Sequence, residues 1–223
     1  MFYTYPKVCK NKTQRNICLK KTKQEAQQTR EAILQSAMDL FYQKGYSKTS
    51  FDEIALTIGL TKGAVYWHFK NKPELVAAII EEYVTHKMAY LKQKVPVLRD
   101  FKDIEAYFLA MADYLLGDKN ATKVAFFLSL QMEWSESVIT KVLESLSQNT
   151  KDCFEYVKNA LFAMQEAEQI RSDIAPVVIA EIIFSLWTGT LEAYFSKRLK
   201  TDLKTAVQNS FDLLSNGLFK RKD

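Results

Sequence analysis

TSFDEIALTIGLTKGAVYWHFKNKPEL, residues 49–75, reads as two short helices joined by a tight turn. Ser50 and Glu53 stand three apart ahead of an apolar run, the spacing of a capping box. Phe51, Ile54, Ala55 and Ile58 then recur at i, i+3, i+4 and i+7, one buried helical face. Gly59 follows them and can take the left-handed conformation that ends a helix. Thr61 is placed to cap a second helix, whose Val65 and Phe69 point inward with Leu60. The remaining faces carry Lys62, Gly63, Ala64, Tyr66, Trp67 and His68, with Lys70 continuing the line of Lys62 and Tyr66. So short a helix does not ordinarily expose Tyr and Trp beside Lys, His and Gly without a partner. A helix-turn-helix whose second helix enters a DNA major groove accounts for all of these features.

The segment from residue 29 to 75, and above all 49–75, resembles the DNA-binding region of the tetracycline-repressor (TetR) family. Within it GLTKGAVYWHFKNK, residues 59–72, is similar to the branch that contains repressors of multidrug and acridine efflux pumps. The resemblance implies an all-α bacterial regulator with a helical ligand-binding domain. It also implies a homodimer formed by the two C-terminal helices and release of DNA when a ligand binds.

Charge is divided unevenly along the 223 residues. The first 72 carry 13 Lys/Arg and 5 Asp/Glu, a balance of +8, whereas the whole chain is +5. A basic end coinciding with the helix-turn-helix is the electrostatic footprint of a DNA-binding domain. Few Gly and Pro and long helical periodicities indicate an all-α fold. Three widely spaced cysteines, Cys9, Cys18 and Cys153, make no disulfide framework, which fits a reducing cytoplasm. No secretory signal is visible. The most apolar window, 174–195, contains Glu181 and Glu192 and reads as a buried core helix, not a membrane span.

Four regions are expected. Residues 1–23 form a flexible basic extension, and 24–72 the DNA-binding domain, its first helix running over 24–44. A connecting helix occupies 73–95, with Asn71 and Glu74 at cap spacing and Pro73 in the first turn. After a break at Val95-Pro96-Val97, residues 96–223 form a second domain. Its helices are expected over 100–116, 123–132, 135–165, 174–199 and 202–218, with a loop at 117–120. Ser172 or Asp173 and then Thr201 would cap the last two. Ser185, Gly189 and Ala193 make a small-residue groove. Leu203, Val207, Phe211, Leu214 and Leu218 make an apolar stripe facing a second copy, or else the core of one subunit.

No catalytic constellation assembles. There are two histidines, His68 and His86, no Ser-His-Asp or Cys-His pattern, no metal-ligand spacing and no glycine-rich phosphate loop. No cofactor is expected. For DNA, Lys62 at the helix start is placed to donate to guanine O6 and N7. Gly63 and Ala64 permit close approach, and Tyr66 suits a base or a phosphate. His68, Lys70 and Lys72 suit phosphates, which set register. Ser50 and Thr61 complete the set as caps. Thr49 stands where the family's phosphate-touching residue does, and equally where a hydroxyl would brace the turn. Trp67 reads first as packing between the third and fourth helices and second as DNA-facing. By resemblance, a small hydrophobic ligand is expected among Tyr107, Met111, Phe126, Phe127, Trp134, Phe154, Phe184 and Trp187. Glu133, Glu136, Glu181 or Glu192 would adapt such a pocket to lipophilic cations. The rivals are a sequence-independent architectural DNA binder, a same-family regulator of lipid or fatty-acid genes, and an enzyme on a helical scaffold.

Overall fold

A computed structural model describes residues 12–145 and 152–218 of the chain, with side chains from 23 to 144 and from 153 to 218. The described residues are helical with short connections. Helix α1 spans Lys12–Lys44, α2 Phe51–Thr57, α3 Lys62–His68 and α4 Lys72–Lys94. Then follow α5 (Phe101–Gly117), α6 (Lys119–Phe126) and a π-helical turn (Phe127–Gln131). Helices α7 (Glu136–Ser145), α8 (Asp152–Glu166), α9 (Pro176–Phe195) and α10 (Leu203–Leu218) complete the chain.

Helix α1 begins at Lys12, not near Gln24, because no Gly or Pro interrupts 12–44. Residues 1–11, the rest of the expected basic extension, lie outside the described residues, as does Leu146. The expected loop at 117–120 is shorter. The Asp118 carboxylate accepts from the backbone N–H of Asn120 and Ala121 at 2.7 and 2.9 Å, so α6 starts at once. Neither Ser172 nor Asp173 caps α9. Asp173 is held by Arg171 instead, and the turn into α9 is stitched by Gln165 Nε2, which donates to the carbonyls of Arg171 and Ile174 at 2.8 and 2.7 Å. Asp202, not Thr201, caps α10, accepting from the Thr205 N–H at 3.0 Å.

Two apolar clusters hold the fold. One gathers Ile33, Ala37 and Phe41 of α1, Phe51 and Ile54 of α2, Val65 and Phe69, and Leu75 to Ile80 of α4. It continues into Val124, Phe127, Val138 and Val142, so the first four helices share a core with α6, the π-turn and α7. Phe127 stacks on Phe41 at 5.2 Å between ring centroids. The second cluster joins the end of α4 to α5, α8, α9 and α10 around Phe108, whose ring meets Phe184, Trp187 and Phe211 at 5.3, 5.8 and 5.4 Å. Leu203, Val207, Phe211 and Leu218 are buried here, so the α10 stripe serves the subunit's own core.

Helix α9 corrects the core-helix expectation. It is long and apolar enough to cross a membrane by length and composition alone. Only Ile179, Ala180 and Ile183 are buried, however, while Val177, Val178, Ile182 and Leu186 face outward. Phe162, expected on an inner stripe, is 56% exposed.

Phe127 is the deepest link between the two halves of the first cluster. Phe127→Ala is expected to cost about 3–5 kcal/mol, measured by denaturant unfolding, since it removes a ring from a fully packed site.

Candidate functional site

The helix-turn-helix is assembled as the spacing predicts. Ser50 Oγ accepts from the Glu53 N–H at 3.3 Å, and the Glu53 carboxylate accepts from the Ser50 N–H at 2.9 Å, a complete capping box. Gly59 has φ +66°, the left-handed position that only glycine takes without strain, and the Leu60 N–H returns to the Ala55 carbonyl at 2.8 Å. Thr61 Oγ1 accepts from the Ala64 N–H at 3.3 Å and starts α3. Val65 and Phe69 are buried, turning the opposite face of α3 to solvent.

Tyr66 is 49% exposed and Trp67 74% exposed. Trp67 therefore does not pack between α3 and α4; with Val65 and Phe69 filling the inward face, its position on the helix points away from the core. Its ring meets only the edge of His68, at 4.5 Å. His68 is half-buried, and burial followed by the nearby Arg30 charge pushes its pKa below the ordinary value. The Tyr66 ring rests edge-on against Phe51 at 4.9 Å. A Cβ added at Gly63 would meet just Thr61 Oγ1, at 3.9 Å, so nothing within the chain requires glycine there.

An open groove of about 530 Å³ runs along this surface, lined by Ser47, Ser50, Asp52, Lys62, Tyr66 and Lys70 among others. Sequence reasoning missed Asp52: its carboxylate accepts from Lys62 Nζ at 2.7 Å and holds the lysine beside Tyr66. No short-range pattern announces a pair ten residues apart across a turn. Two expected contacts are structural instead. Thr49 is 2% exposed and donates its hydroxyl to the Gly45 carbonyl at 3.0 Å, so it braces the turn. Lys72 Nζ donates to the Tyr46 carbonyl at 2.9 Å and lies 4.4 Å from the Tyr46 ring centroid, where burial lowers its pKa. Glu133 was also missed in its actual role. From the loop after the π-turn it accepts the Ser47 hydroxyl at 2.6 Å, directly beside the groove.

The expected ligand residues do not converge. Phe184 and Trp187 pack against Phe108, Phe154 packs on Phe184, Met111 is core, and Phe126 lies between Tyr42 and Phe195. Phe127 belongs to the cluster shared with α1 to α4, and Trp134 is 50% exposed in the short connection before α7. Tyr107 borders a cleft of about 420 Å³ with Met88, Ala89, Lys92, Pro96 and Tyr156. Glu133, Glu136, Glu181 and Glu192 are all exposed and none lines it. Among the described residues no group of His, Cys, Asp and Glu could hold a metal ion.

The model for bacterial regulatory proteins of the tetR family matches residues 33–79, which is α1 from its first core residue through α3 and into α4. The chain carries a tetR-family domain over these residues. TtgR, an HTH-type transcriptional regulator of Pseudomonas putida, is 25% identical over 202 residues, 88% of this chain and 96% of that one. AcrR of Shigella flexneri is 56% identical over 62 residues, covering 28% of this chain and 29% of its own. The structure of SmeT, the repressor of the Stenotrophomonas maltophilia multidrug efflux pump SmeDEF, superposes with a TM-score of 0.69 at 25% identity. It covers 86% of this chain and 91% of SmeT. A SmeT–triclosan complex gives 0.70 at 27%, over 87% and 93%. The matched residues include the whole of α3, whose outer face carries the exposed Tyr66 and Trp67.

Glu53 supplies a pH test of the motif. The Lys44 ammonium, then the Ser50 backbone and hydroxyl, hold its carboxyl down at about 2 against an ordinary 4.5. A depressed pKa in the fold gives stability that is present above pH 4.5 and lost as pH falls toward 2. Glu53→Gln is expected to flatten that part of the acid limb, read as Tm against pH between 5 and 3 beside wild type.

Proposed function

We propose that this chain is a homodimeric repressor of multidrug efflux genes that leaves its operator when a small hydrophobic ligand binds. The observation that carries the reading is α3: its inner side is wholly buried, while Lys62, Gly63, Tyr66 and Trp67 face outward beside a groove edged by Lys70. Lys62 reads a base edge, and Asp52 orients it until DNA displaces the pair. Ser50, Thr61, Ala64, His68 and Lys70 stand around it, with phosphate contact falling to Lys70 and to the backbone N–H groups at the start of α3. Residues 24–72, with Lys72 and Thr49 shaping the turn, act as the DNA-binding unit; α4 connects them to the ligand-binding and dimerisation region, 96–223. The efflux target is supported by similarity to TtgR, AcrR and SmeT. The protein works in the cytoplasm, where its DNA is.

The ligand enters the cleft at Tyr107, Met88 and Tyr156. It touches the end of α4, whose other end carries Pro73 and the α3–α4 junction. A ligand shifts the equilibrium only by its different affinity for the two dimer geometries. The dimer forms on the outward face of α9, where Val178, Ile182, Ser185 and Gly189 make one continuous exposed stripe beside Leu213, 76% exposed. Two copies joined there present two α3 helices to a pseudo-palindromic site.

Gly63 separates fold from function. Gly63→Ala has room in the chain and a better helix former, so Tm is expected to hold or rise. Affinity for DNA upstream of the gene, read by fluorescence anisotropy, is expected to fall about tenfold or more because the added methyl meets DNA. Lys62→Ala should weaken binding there while leaving affinity for a scrambled duplex nearly unchanged. Unchanged operator affinity in both variants overturns this assignment of α3. An interface test is independent: Ile182→Glu should yield monomers by light scattering and lose operator affinity, with Tm of the isolated subunit little changed.

A further inference from the structure

The acidic, aromatic chemistry expected inside the second domain is present elsewhere, in a cleft of about 260 Å³ between the DNA-binding helices and the rest. Leu34 and Met38 of α1, Ile79 of α4 and Val124 of α6 form its apolar base. Tyr83 of α4 and Tyr114 of α5 stand over it, ring centroids 6.0 Å apart and planes inclined at 43°. Around the edge are three carboxylates, Glu31, Glu82 and Asp118, with no Lys or Arg among the lining residues.

None of the three carboxylates is in an ion pair among the described residues. Among the described residues Glu31 accepts the Gln27 amide at 2.9 Å, Asp118 accepts the N–H groups that start α6, and Glu82 has no hydrogen-bond partner. The Tyr83 hydroxyl has none either, although burial pushes that phenol well above the ordinary tyrosine range. Burial, followed by the charge of neighbouring Asp118, raises Tyr114 as well. Three carboxylates outside any ion pair among the described residues, with His86 the one basic side chain in the lining, stand beside two aromatic faces and an apolar base, a setting complementary to a positive charge on an apolar body. The Tyr83 ring already accepts such a charge, since Lys87 Nζ, outside the cleft lining, lies 5.4 Å from its centroid. An inorganic cation fits poorly, because no described acidic cluster converges as metal ligands do. The 420 Å³ cleft is the opposite case, with Lys92 and no acid in its lining.

We propose that the α1–α4–α5–α6 cleft is a binding site for a small organic ammonium ion, separate from the ligand cleft at Tyr107. Leu34 and Met38 hold the apolar body, Tyr83 and Tyr114 face the ammonium, and Glu82 and Glu31 balance its charge. Gln35 and Asn120 close one edge, exchanging amide hydrogen bonds of 3.2 and 3.0 Å between α1 and α6. The occupant therefore touches both the DNA-binding helices and the helices that follow them.

The test is calorimetric titration of the full chain, without DNA, with benzyltrimethylammonium and with its neutral isostere neopentylbenzene. Saturable binding at one site per chain is expected, with the isostere at least about tenfold weaker. Glu82→Gln, an exposed and unpaired position, should weaken the ammonium about fivefold, and Tyr114→Leu about tenfold. Ala89→Trp, which fills the other cleft, should leave it unchanged. Melting curves without ligand show that each variant is folded. Absence of saturation up to about 10 mM overturns the proposal. So does binding that Glu82→Gln leaves intact, or that Ala89→Trp abolishes. Because no DNA is present, none of these outcomes bears on whether the chain is a repressor.

Discussion

Val65, in the middle of a helix only seven residues long, and Phe69, which caps its C-terminus, lie four residues apart, and both are buried among side chains of α1, α2 and α4. A helix of that length has no stability of its own in water. Its existence and its direction come from those two side chains seated in the shared core, from Thr61 at its start and from Gly59 setting the turn before it. Everything that α3 offers to a partner, from Lys62 to Trp67, is aimed by that seating. Moving the core that receives Val65 and Phe69 moves the whole face.

That core is not confined to the first four helices. Phe41 stacks on Phe127, Asp39 pairs with Lys123, Gln35 bonds to Asn120, and Glu133 takes the Ser47 hydroxyl. These contacts join α1 and the α1–α2 turn to α6, the π-turn and the loop beyond. Among the described residues the π-turn leaves Gln131 Oε1 buried without a partner, while its Nε2 reaches the Tyr42 carbonyl at 3.3 Å. Irregular helical turns of this kind recur at functional sites. Coupling between a bound ligand and DNA thus has a physical route: a shift of α6 is felt by α1 and by the turn that braces α2.

Much of the DNA-binding end was legible in the sequence because its signals are local. The Ser50–Glu53 spacing, Gly59, Thr61 and Asn71 each specify a cap or a turn within four residues, and each is found as read. Long-range relations were not legible. Nothing local shows that Lys62 meets Asp52, that Lys72 spends its ammonium on Tyr46, or that Glu133 reaches Ser47. Aromatic content was a poor guide to a cavity, since the rings around Phe108 pack against one another while Trp67, Trp134 and Phe162 lie at the surface. The caps of α9 and α10 were misplaced, and α6 starts earlier than expected, because several polar residues compete in each turn and only the fold chooses among them.

The most direct measurement is a hydroxyl-radical footprint of the wild-type chain on the DNA upstream of its own gene. Two protected patches of like sequence, centred one helical turn or a small multiple of it apart, are predicted for a dimer presenting two α3 helices to successive major grooves. Uniform protection along the fragment, weakening alike everywhere as salt rises, would show attraction to the phosphate backbone alone and would contradict this account.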